Sequence, residues 1–141
     1  MTQPSARVGG ATRFAVTLLW IVCGAFIAFG LAFTIAPESV ADLVTGTAPT
    51  TSSGVIDMRA TYGGVAIGMG IFVGLCARRG DWTRIGLIFS LLVLVTIGAA
   101  RVVGIVADGS PNGWMLAFLG LEIASVALLA FSLGRLEGSG A

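Results

Sequence analysis

The chain has 141 residues; 56% are apolar and only 11% are charged, against about 25% charge in a soluble domain. Eight arginines and seven acids cannot cover a soluble surface, so composition excludes a cytosolic enzyme, a disordered chain and a nucleic-acid binder. There is no His and no Lys, which removes His-ligated metal or haem, a Ser-His-Asp triad and most proton shuttles. No metal and no cofactor is expected.

A helix needs about 20 apolar residues to cross about 30 Å of hydrocarbon. Four stretches reach that length, at about 14–35, 59–77, 84–107 and 113–133. The first carries no charge, and at about 22 residues it is too long for a typical signal-peptide core. It reads as a membrane helix. The one long connection follows, at 37–56. It opens Pro37-Glu38-Ser39-Val40-Ala41-Asp42, which suits a short helix lying at the interface. The stretch 45–54 is rich in Thr, Ser, Gly and Pro and is expected to be irregular. The second span ends at Arg78-Arg79-Gly80-Asp81 and the third at Asp108-Gly109-Ser110-Pro111. Short connections make successive helices antiparallel neighbours. The expected fold is therefore all-α: a polytopic, up-down four-transmembrane-helix bundle with a short interfacial helix in the first outer loop. Residues 11–137 form one membrane domain, and the Gly/Ser-rich tails 1–10 and 138–141 are expected to be disordered.

Charge orients the bundle. Arg7, Arg13, Arg78, Arg79, Arg84 and Arg135 fall on one side; Glu38, Asp42, Asp57 and Asp108 fall on the other, with Arg59 at its edge. The positive-inside rule places both termini in the cytoplasm and the chain in a cell membrane.

Glycine marks the second span. On a helical wheel Gly63, Ala66, Gly70 and Gly74 lie within about 60° of Arg59, and Gly64 and Gly68 make a second smooth face about 140–180° away. Small residues let membrane helices approach closely, so neighbours are expected on both faces, with a second copy or another protein as the alternative. Cys23 and Cys76 read as small buried hydrophobes, because they differ in depth and form no C-x-x-C.

Two charges lie inside the spans, where each costs at least about 2.5–3.5 kcal/mol. Arg101 sits about 9 Å, and Glu122 about 12 Å, below the outer boundary of adjacent antiparallel helices. Matching depth and opposite sign suggest an ion pair or a water-bridged pair; otherwise Glu122 stands protonated. Asp108 lies two turns above Arg101 on the same face, Asp57 and Arg59 mark the outer end of the second span, and Tyr62 lies one turn in. These six residues form the candidate site. No acid or base occupies the inner halves. Thr17, Ser90, Thr96, Ser125 and Ser132 are the polar groups there, and such hydroxyls commonly bond to their own helix backbone. A one-sided polar layer disfavours transport. It suits a structural clamp or a shallow pocket for an amphipathic ligand such as a membrane lipid.

The segments Asp57-Met58-Arg59-Ala60-Thr61-Tyr62-Gly63-Gly64, Ala100-Arg101-Val102-Val103-Gly104 with Asp108-Gly109, and Glu122 together resemble an uncharacterised family of small bacterial four-helix membrane proteins, similar in layout to the DoxX-like group. The resemblance implies a four-helix bundle in the bacterial inner membrane and carries over no catalytic residue. The leading expectation is a non-enzymatic membrane protein with an outward-facing polar site. The alternatives are an accessory subunit of a larger membrane complex, such as an oxidoreductase, and a small enzyme acting on a lipid or quinone.

Overall fold

The computed structural model describes residues 4–138, and among them every regular element is helical. Residues 1–3 and 139–141 lie outside the described residues, and with them part of both tails. Helix α1 spans Pro4–Ile35, starting ahead of the expected 14. Pro4 opens it without loss, since the first N–H groups of a helix have no partner to lose. Its end is set by Pro37: the preceding Ala36 leaves helical geometry at φ −132° and ψ 58°. Helix α2, Pro37–Thr45, starts on that proline and stops at Gly46, whose φ of 80° is left-handed. This is the expected interfacial helix, anchored by the buried Pro37 and Ala41.

The second span starts seven residues earlier than expected. Helix α3 covers Ser52–Met58, because the Thr51 hydroxyl accepts the Gly54 N–H at 3.2 Å and caps it. The irregular stretch therefore shrinks to 46–51. The rod then widens into a π-helical turn, Arg59–Gly64, and continues as α4, Val65–Arg78. A 3-10 turn, Gly80–Trp82, leads into α5, Thr83–Asp108, and a short loop into α6, Gly113–Gly138. Four helical stretches are long and apolar enough to cross a membrane: Thr12–Ile35, Ser52–Arg78, Gly80–Asp108 and Gly113–Gly138.

The bundle is built as two pairs. Helix α1 packs along the second span, and α5 packs along α6. The pairs meet in the arginine-rich half around Leu19, Val73, Cys76, Leu87 and Leu129, all essentially buried. Gly86 permits this contact: a Cβ there would lie 2.6 Å from Cys76 Cβ and 3.0 Å from a Leu19 methyl. In the opposite half the pairs separate. Beyond Ser90, α5 has no fully buried residue, and Val103 and Val106 are 67% and 81% exposed. Apolar side chains this open belong against lipid.

The glycine faces resolve unequally. The stripe below Arg59 is the α1 contact: a Cβ on Gly63 would collide with Thr34 Oγ1, and one on Gly70 would lie 2.8 Å from Ile27 and 3.1 Å from Cys23 O. The second face does not pack in the bundle, contrary to expectation. A Cβ on Gly68 would meet nothing within 4 Å, and one on Gly64 only the carbonyl of Arg59, at 3.9 Å. The cause is the pairwise build, which gives the second span one close neighbour rather than two. The serines also depart from expectation. Thr96 bonds to its own backbone at Leu92 O and Val93 O, both at 2.9 Å. The hydroxyls of Ser90 and Ser132, with that of Thr83, are buried and have no hydrogen-bond partner among the described residues. Cys23 and Cys76 are both free thiols; Cys76 is buried and Cys23 is half-buried.

Candidate functional site: a cleft lined by an arginine

Arg101 and Glu122 form the ion pair that their depths suggested. The guanidinium Nε donates to both carboxylate oxygens at 3.1 Å, and Nη2 donates to Oε1 at 2.7 Å. Both side chains are largely withdrawn from the surface, at 19% and 9% exposure. Such a forked pair is strongly directional. Three neighbours hold it. Gly98, one turn before Arg101, leaves room for Glu122: a Cβ there would lie 3.4 Å from its Oε2. Met115 Sδ accepts from Arg101 Nη1 at 3.1 Å. The Phe118 ring lies under the guanidinium, 5.4 Å from carbon to centroid, a cation–π contact. Met115 and Phe118 sit two turns and one turn before Glu122, so all three share one face of α6.

A guanidinium has five N–H donors. Glu122 and Met115 engage three of them. Arg101 also lines a cleft of about 350 Å³, together with Thr45, Gly104, Asp108, Asn112 and Met115. Asp108 lines it from the C-terminal end of α5. The carboxylate folds back along its helix: its Oδ2 would lie 4.0 Å from a Cβ on Gly104. Arg101 and Asp108 share the cleft without pairing, since the partner of Arg101 is Glu122.

Asn112 builds the cleft's wall, and the sequence reading did not single it out for this. Its Oδ1 accepts the Met115 N–H at 2.9 Å, capping α6, and its Nδ2 donates to Val44 O at 2.9 Å, tying down the end of α2. An Asn directly before Gly-Trp at the head of an apolar run is a capping signal; the tie to α2 is tertiary and leaves no trace in the sequence. Backbone strain lies beside it. Ser110, also in the cleft wall, has a positive φ of 47° after Gly109 at 65°.

The other expected residues lie elsewhere. The π turn carrying Arg59 and Tyr62 packs on α1, not on the α5–α6 pair. Arg59 Nε donates to Thr34 O at 3.1 Å, so a cation caps the last turn of α1. Tyr62 is half exposed and stacks on Phe33, centroids 5.2 Å apart. Asp57 accepts from the Thr61 hydroxyl at 3.3 Å. The six candidate residues thus divide into two groups: Arg101, Glu122 and Asp108 at the cleft, and Asp57, Arg59 and Tyr62 at the α1 contact. Common depth did not mean common azimuth.

The cleft is lined by a guanidinium and a carboxylate, with exposed apolar helix beside it. No curated protein and no solved structure matches the chain. A family described as a domain of unknown function (DUF4345) matches residues 14–133, and the chain belongs to it.

Proposed function

We propose that the outer cleft binds the polar head group of an amphipathic ligand drawn from the membrane. One observation carries the reading: Arg101, on a lipid-length apolar helix, lines the cleft and has two N–H groups that neither Glu122 nor Met115 takes up. Glu122 holds the guanidinium in place, so the donors are preorganised. Arg13, Arg78, Arg79, Arg84 and Arg135 gather at the opposite end of the helices, which by the positive-inside rule turns the cleft outward and both termini inward in a bacterial inner membrane.

The test is retention. The full chain is extracted in mild detergent and weighed intact by native mass spectrometry. The wild type should carry lipid, and the double variant Arg101→Gln with Glu122→Gln should lose it while staying folded. Equal retention in both would overturn the reading.

One observation favours a second reading, an accessory subunit. The Gly64 and Gly68 face of the second span is smooth, and a Cβ there would meet no side chain within 4 Å among the described residues. A stoichiometric protein that co-purifies with wild type and is lost in Gly68→Leu would support it.

A further inference from the structure

The C-terminal ends of the four membrane-length stretches differ in one respect. The negative C-terminal end of a helix is stabilised by a nearby cation. Helix α1 has Arg59 at its last turn, α4 has Arg78, and α6 has Arg135. Helix α5 has no basic residue in its last turn and ends instead on an acid, Asp108. An acid there adds to the negative pole of a 26-residue helix, and the orphan carbonyls of the last turn add more. The ion pairs among the described residues join Arg84 to Glu137 and Arg101 to Glu122, so neither supplies Asp108 with a cation. Asp108 is exposed at the end of its helix. It leans back over Gly104 into the cleft that holds Arg101.

The charge of Arg101 is already balanced by Glu122. The cleft is therefore lined by a guanidinium whose charge is balanced and by a carboxylate with no ion-pair partner among the described residues. Such a cleft does not favour a plain anion. It fits a zwitterion, with acceptor oxygens inward and an ammonium outward. We infer that the ligand is an aminophospholipid: its phosphodiester accepts from Arg101, its primary ammonium sits between Asp108 and the last carbonyls of α5, and its acyl chains lie along the exposed apolar outer half of α5. This rests on the cleft being a ligand site, and it adds the class of head group. A primary ammonium is required because it donates hydrogen bonds to the carboxylate and carbonyls, which a quaternary one cannot do.

The wild-type chain and Asp108→Asn are reconstituted in nanodiscs of equimolar phosphatidylethanolamine, phosphatidylglycerol and phosphatidylcholine, then extracted, and the retained lipid is quantified. Wild type should retain phosphatidylethanolamine about tenfold over either competitor, a preference of about 1.4 kcal/mol. Asp108→Asn should retain lipid without the preference, and Asp108→Glu should keep it. Free phosphoethanolamine at millimolar concentration should not displace the lipid; displacement would mean a soluble ligand and overturn the lipid assignment. Equal retention of the three lipids by wild type, or a preference for phosphatidylglycerol, overturns the ammonium site and leaves the cleft reading standing if the Arg101/Glu122 double variant still loses lipid. Retention indifferent to both sites overturns both.

Discussion

Replacing Arg101 with Leu would remove a forked charge-assisted pair, a sulfur contact and a cation–π contact at once. The lost contacts matter less than what stays behind. Glu122 is 9% exposed and would face the Leu side chain and the apolar ring of Phe118 with no donor. Breaking a buried pair from one side costs about 3–5 kcal/mol. Because the cleft admits water beside Arg101, the lower end, about 3 kcal/mol, is the better figure. Arg101→Leu with Glu122→Leu removes both charges, and replacement of a whole buried pair by apolar groups is often neutral. The double variant should therefore lie within about 1 kcal/mol of wild type, far short of the sum of the two single losses. The assay is equilibrium unfolding in mixed micelles, run as a complete double-mutant cycle. If the two single losses simply add in the double variant, the pair is not energetically coupled and the reasoning fails.

The one-sided packing of the second span gives a contrast. Gly70→Leu should destabilise the α1 contact by at least about 2 kcal/mol in the same assay, because backbone at Cys23 and the Ile27 side chain already crowd that position. Gly68→Leu should change monomer stability by less than about 0.5 kcal/mol, since open space surrounds it. Ser90→Ala should leave stability unchanged or raise it by about 1 kcal/mol, because it deletes a buried hydroxyl without a protein partner; a marked loss would show that the hydroxyl is bonded. Asn112→Ala removes a helix cap and the tie to α2, and should cost about 1–2 kcal/mol and speed hydrogen exchange in Pro37–Thr45. A cysteine placed at Gly80 should stay unlabelled in intact cells by a reagent that labels one placed at Asn112; the reverse pattern would overturn the orientation.

Depth was legible in the sequence, and azimuth was not. Arg101 and Glu122 could be paired on paper because their helices are antiparallel and joined by a short loop, so residue count sets level. Pro37 announced α2, and the glycine stripe beneath Arg59 announced a close helix contact, though not that the partner is α1, since each depends on local spacing. Arg59 and Tyr62 were grouped with Arg101 because they lie at the same level. Which way the outer second span faces depends on the pairwise packing and on the π turn, and nothing in Arg59-Ala60-Thr61-Tyr62-Gly63-Gly64 marks that change of pitch. The early start of the span was visible only as a Thr51-to-Gly54 cap inside a segment whose composition reads as loop. The cleft itself is tertiary. It needs Asn112 to reach Val44 across the outer surface, a contact between residues far apart in the chain.

The most direct test of the cleft's role is a density map of the full chain in a lipid nanodisc, resolved well enough to place a head group. The account predicts density at the inner end of the cleft within hydrogen-bond distance of the Arg101 guanidinium, with Arg101 still forked on Glu122 and further density reaching Asp108. A cleft filled by side chains of α2, or an Arg101 turned away from Glu122 with no bound molecule beside it, would contradict it.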